Sequence, residues 1–221
     1  MAATIEPPGG IMDYPVLNKS PDVAQAVLPH TIDANGNAVP IGSANPSPVE
    51  YFPKPIVAAA TAMTRPANVT AYTTGDAVSN NATAASVTPI SFPASDVNNA
   101  PLLVTHVELL SADTGPAAAA ATFEVWLFNS DPTANSGVGG GDNAAFSQKQ
   151  AGFIGRMQGT FIAASDGSMA ICTPVEGSFI PTTPSSGGMT IYGLLKTLTA
   201  FTPSANSTTF TATLKGIQGR A

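Results

Sequence analysis

Charge is what this sequence has least of. Asp, Glu, Lys and Arg make up 10% of its 221 residues, against roughly 25% in an ordinary soluble domain. A free monomer usually stays in solution with more charge than that. A surface partly covered by neighbouring subunits is therefore the first expectation. The eight basic residues are scattered from Lys19 to Arg220, with no run of Lys or Arg. This excludes the basic footprint of a nucleic-acid reader and the polybasic patch of a membrane-surface anchor. Cysteine is nearly absent as well. Cys172 stands alone and has no partner for an internal disulfide. It sits in the apolar run Met169–Thr173 and reads as a buried, inert thiol. The opening MAATIEPPGGIMDYP lacks the basic start and apolar stretch of a signal peptide. No run approaches the ~18 apolar residues of a membrane helix. Without a secretory route, the sequons at Asn68, Asn81 and Asn206 read as chance in a Thr-rich chain.

Clustered chemistry is also missing. His30 and His106 lie 76 positions apart, and neither belongs to a metal-ligand pair. No serine occupies the Gly-x-Ser-x-Gly elbow of a hydrolase. The run Gly137-Val138-Gly139-Gly140-Gly141 lacks the Lys and hydroxyl residue of a phosphate loop. Asp131 and Asp142 bracket that loop without the alternating oxygen ligands of a calcium site. Glu108 and Glu124 are the only glutamates in predicted central strands. They read as solitary solvated charges, not as the facing pair of a glycosidase. Trp126 and Phe128 share one strand face, which packing explains without a ligand. No catalytic residue, metal ligand, cofactor or small-molecule substrate is expected, and the chain is not read as an enzyme.

Proline divides what is present. Eleven of the twenty prolines lie in the first 66 residues. Each fixes φ, removes a backbone donor and biases its predecessor away from the α region. Residues 1–66 are therefore expected to form a long extended arm near polyproline II. The arm is studded with apolar residues, unlike a disordered linker. Its expected interface anchors are Ile11, Tyr14, Val16, Leu17, Val27, Leu28, Ile32, Tyr51 and Phe52. Asn35-Gly36 suits a hairpin turn pairing Pro29–Ile32 with Ala38–Ile41, and Ala58–Met63 is expected as a single helical turn.

From residue 67 to 221 the pattern changes to short β runs between turn signals. Strands are expected at Val69–Thr73, Val87–Phe92, Leu102–Leu110, Thr122–Phe128, Gly152–Ala163, Met169–Thr173, Met189–Thr199 and Thr208–Lys215. Phe123, Val125 and Leu127 alternate with Glu124, Trp126 and Phe128. Phe210, Ala212 and Leu214 alternate with Thr209, Thr211 and Thr213, which predicts a Thr-lined outer surface. Asp142 is expected to cap a short helix over residues 144–149. No βαβ spacing appears. The expected fold is all-β, an antiparallel β-sandwich of jelly-roll type with a long N-terminal arm; an immunoglobulin-like sandwich has a similar strand count.

Four segments in order carry a resemblance. They are Thr70-Ala71-Tyr72-Thr73-Thr74-Gly75-Asp76, Leu127-Phe128 through Pro132-Thr133 to Asp142-Asn143-Ala144-Ala145-Phe146, Tyr192-Gly193, and Ala200-Phe201-Thr202-Pro203 with Phe210 through Leu214. Over residues 67–217 the chain resembles a family of tailed-bacteriophage virion structural proteins. It departs from them in the Gly-rich insertion after Thr133 and in the long arm. The resemblance implies a β-sandwich and a place in the particle, and it carries over no catalytic residue. The expected role is a capsid decoration (cement) protein on the outer surface of the head. Its partners would be the major capsid protein and copies of itself, as a homotrimer, with neither nucleic acid nor membrane. A tail, collar or baseplate component and a host-glycan-binding module are the alternatives.

Overall fold

The computed structural model describes residues 30–32, 38–40, 53–132, 139–147, 151–185 and 187–219. The chain divides into two units, Met1–Glu50 and Tyr51–Ala221. In the first, β1 (His30–Ile32) pairs antiparallel with β2 (Ala38–Pro40), with His30 opposite Pro40. This is the hairpin expected around Asn35-Gly36, whose turn lies outside the described residues.

The second unit is all-β and antiparallel. Its strands are β3 (Lys54–Ala59), β4 (Met63–Thr64), β5 (Ala77–Val78), β6 (Ile90–Pro93), β7 (Leu102–Ser111) and β8 (Thr122–Phe128). They continue with β9 (Phe153–Thr160), β10 (Ile162–Ala164), β11 (Gly167–Pro174), β12 (Ile180–Thr182), β13 (Thr190–Thr197) and β14 (Thr209–Gln218). One hydrogen-bonded path runs β3-β14-β7-β11-β9-β8-β13-β5, with β4 added to β14, β12 to β7, β10 to β11 and β6 to β13.

That path folds over on itself. Between β14 and β8 lie four successive pairings, which in a flat sheet would separate them by about 19 Å. Yet the rings of Phe210 on β14 and Phe123 on β8 are 5.9 Å apart. One layer therefore holds β3, β14, β7 and β11, and the other holds β6, β13, β8 and β9. The join is β11, which pairs with β7 through residues 168–172 and with β9 through Thr173 and Pro174. Among the eight strands just named, counted in chain order, the layers read 1-8-3-6 and 2-7-4-5.

The core is what the alternation predicted. Phe123, Val125 and Leu127 meet Phe210, Ala212 and Leu214, with Val107 and Leu109 beside the β14 set and Met157 beside Val125, all buried. Each of the larger side chains contributes roughly 1.5–3 kcal/mol by leaving water. Phe123 touches Phe161 edge-on at 4.9 Å and Phe201 at 5.4 Å.

Several expectations are corrected. The compact unit begins at Tyr51, and 53–66, expected as arm, contains two strands. β3 pairs with β14 over six residue pairs, from Lys54 opposite Gln218 to Ala59 opposite Thr213. Pro55 is tolerated because Ala60 N–H donates to Ala212 O, so even-numbered donors of this edge face β14. The donor that Pro55 lacks would point to the open edge. Ala58–Met63 makes no helical turn; it ends β3 and leads into β4. Val69–Thr73 is not a strand, and only Tyr72 bridges, to Phe201. Residues 144–147 are not helical. They run beside 75–77, where Ala77 N–H donates to Ala144 O and Phe146 N–H to Gly75 O, both at 2.8 Å.

Candidate functional site

Two polar clusters and one open sheet face are the candidates. The first cluster is buried. Arg65 follows β4, and its backbone N–H donates to Thr208 O at 3.0 Å, which turns its side chain inward. Its Nε donates to the Tyr72 hydroxyl and its Nη2 pairs with Asp142 Oδ2 at 3.3 Å. The Tyr72 hydroxyl donates in turn to Asp142 Oδ1 at 2.5 Å, and Ser79 N–H donates to the same oxygen at 3.0 Å. Phe201 stacks on the Tyr72 ring at 4.7 Å. Burial first, and then the Asp142 carboxylate, push the Tyr72 phenol well above its ordinary range.

This cluster joins segments that are far apart in sequence. Asp142 was expected to cap a helix; it instead anchors residues 139–147 to the sandwich. Thr73 N–H and hydroxyl both donate to Asp76 Oδ2, at 2.6 and 2.9 Å, closing the turn in which Gly75 adopts φ +93°. The segments around Tyr72, Asp142 and Phe201 thus meet at one place. Every polar group here is turned on another, so the geometry suits a lock between loops.

The second cluster lies on the outer face of the β8–β13 layer. Glu124 was expected as a solvated charge, and the structure overturns this: it is buried. Arg156 Nη1 donates to its Oε1 at 3.0 Å, Lys196 Nζ to its Oε2 at 3.3 Å, and Trp126 Nε1 to Oε2 at 3.1 Å. Trp126 packs on Phe146 and Phe153 at 5.0 and 4.9 Å, and Val87, Phe128, Leu194 and Tyr192 complete this second apolar cluster. The chain's own loop 139–147 covers the part of this face around Trp126 and Leu194. Packing accounts for Trp126 and Phe128, as expected.

The other layer's outer face is different. Cross-strand partners share a face, so the register defines its rows. One end carries Ile162, Met169, Leu110 and Thr211 in line across β10, β11, β7 and β14. The other end carries Pro181, Leu103, Ile217 and Pro55 across β12, β7, β14 and β3. Leu103, Leu110, Ile171 and Ile162 expose 38%, 48%, 55% and 61% of their surface. Between the two ends, Lys215 Nζ sits 3.1 Å from Glu108 Oε1, and His106 Nε2 sits 3.8 Å from the same oxygen. Glu108 is therefore paired, not solitary. An open cavity of about 570 Å³ lies at the Leu103 end, lined by Pro53, Pro101, Pro181 and Ile217 among others.

Cys172 is buried in β11 as expected, and desolvation raises its thiol to about 12. Of the expected arm anchors, Ile11, Tyr14, Val16, Leu17, Val27, Leu28, Tyr51 and Phe52 lie outside the described residues. Ile32 ends β1, where only the backbone is described. Sequence reasoning passed over Arg65 and the pairing of Glu124. The usable signal was the scarcity of charge, which makes each charged residue inside the strand region a candidate for burial. No known family model matches the chain, and no curated protein matches it.

Proposed function

We propose that this chain is a virion structural subunit, a capsid decoration (cement) protein whose sandwich packs against the major capsid protein and other copies of itself on the outer head surface. The observation that carries this reading is the contrast between the two outer faces. One is covered around Trp126 by the chain's own loop and aromatic cluster. The other leaves apolar rows open to solvent at both ends of a sheet. Scattered exposed apolar residues are ordinary, but aligned rows of them mark a contact surface.

Two further features support it. The strand order 1-8-3-6 over 2-7-4-5 supports a jelly-roll reading, an architecture common in capsid proteins. The buried Arg65–Tyr72–Asp142 cluster holds loops to the sandwich. The proline-rich stretch before Tyr51 serves as the arm, adding contacts to neighbouring subunits and converting weak binding into avidity. Quantitative mass spectrometry of purified particles of the encoding virus tests the reading. Hundreds of copies per particle are expected for decoration; a dozen or fewer would move the protein to the tail or collar. Its absence from the particle would end the proposal.

A further inference from the structure

We propose that the open face of the β10–β11–β7–β14–β3 layer is a two-fold interface with a second copy of this chain. The inference deepens the assembly reading and rests on it for its biological setting. Three observations select the occupant. First, along β7 the face runs apolar, charged, apolar: the Leu110 row, then Glu108 with Lys215 and His106, then the Leu103 row. That order is nearly the same read from either end. A two-fold axis lying in the face, along the strands or across them, therefore sets apolar rows on apolar rows and the charged centre on its own copy. Isologous contacts require such self-complementarity.

Second, the charged centre contains Glu108 and Lys215, one of each sign, so it adds no net charge where the chain as a whole carries −6. Two copies meet with least repulsion there, and each Lys215 can exchange Glu108 for that of its partner. Third, the area is sufficient. Ten residues of β7 by four strands span roughly 34 by 19 Å, about 650 Å² per copy and about 1,300 Å² per pair. This is within the range of specific interfaces, and sandwich faces pack on one another readily at small crossing angles. A pair of this kind differs from the three-fold ring expected from the sequence.

The test is sedimentation equilibrium of the purified full-length chain from about 1 to about 100 µM. A monomer–dimer equilibrium is expected. Leu110→Glu should raise its dissociation constant at least tenfold, because it places an unpaired carboxylate in one of the two apolar rows that the contact buries. Ile162→Lys, on the three-residue edge strand β10, should do the same with less risk to folding, and Met189→Glu, at an exposed position before β13, should leave the constant unchanged. A cooperative unfolding transition in each variant shows that it is folded. A chain that stays monomeric at the highest concentration overturns the proposal, as does a trimer, or a dimer that both face variants leave intact. No particle is involved, so failure here leaves the virion reading standing, and absence from the particle leaves the dimer standing.

Discussion

Asp142 and Arg65 are both withdrawn from water, and this decides what the loss of either would do. Removing one member of a buried pair strands the other, at a cost of about 3–5 kcal/mol. Asp142→Asn should lower unfolding stability by that order in urea titrations. Arg65→Met combined with Asp142→Leu should cost less than the two single changes added, because neither charge is then left alone. Tyr72→Phe removes one hydroxyl from the same cluster and should cost about 1–3 kcal/mol. The raised Tyr72 and Cys172 also make stability depend on pH. Each group holds its proton in the folded chain to a higher pH than in the unfolded chain. Above the ordinary thiol value of 9.0 and phenol value of 10.0, the unfolded chain therefore binds fewer protons, and stability falls as pH rises. It is complete below pH 9.0 and declines above it. Cys172→Ala should flatten the first part of that decline, measured as urea midpoints at stepped pH, and Tyr72→Phe the later part. A decline with the same profile in both variants would contradict these assignments. The charged pairs were hard to read from the sequence for one reason. The charged partners of Glu124 lie 32 and 72 positions away, and Asp142 is 77 positions from Arg65.

Strands whose alternation runs for seven residues or more were legible. β8 spans the residues expected, and β7 and β11 come within one or two positions of expectation. Their periodicity records a buried face, and no tertiary information is needed to see it. β3 was not legible, because Pro53 and Pro55 read as arm. A proline is compatible with a strand when its missing donor faces an open edge, and only the pairing partner reveals which edge is open. The two-residue strands β4 and β5 are too short to carry any period. The same pairing yields a prediction. A chain starting at Tyr51 should keep one cooperative unfolding transition. One starting at Ala67 loses β3 and β4 from the edge of β14, and with them the core side chains of Ile56, Ala58 and Met63, and it should unfold several kcal/mol more easily. Equal stability of the two truncations would show that the boundary expected at residue 67 was the better one. The loop 139–147 offers a second test. A Cβ on Gly141 would lie 1.9 Å from Ala82 O, against backbone that cannot yield cheaply. Gly141→Ala should lift the loop, uncover Trp126 and shift its fluorescence to the red without unfolding the core.

At the scale of the whole molecule, two terms compete whenever copies of this chain approach one another. Each copy carries −6, which opposes association, and each presents an open apolar face, which favours it. Salt separates the two. Repulsion between exposed charges is screened over about 10 Å at 0.1 M ionic strength, and over less at higher salt. Burial of apolar surface is not screened, and sulfate strengthens it. If the contact is made through the Leu103 and Leu110 rows, self-association should tighten as sodium chloride rises from about 0.05 to 0.5 M. It should tighten further in sodium sulfate at equal ionic strength. If charge pairs such as Glu108 with Lys215 of a second copy supplied most of the affinity, the trend would reverse, because exposed ion pairs weaken with salt. Sedimentation at stepped salt concentrations reads the sign directly. Dissociation at high salt would remove the apolar rows as the agent of assembly, and tightening would assign it to them, with the charged centre setting only how two copies align.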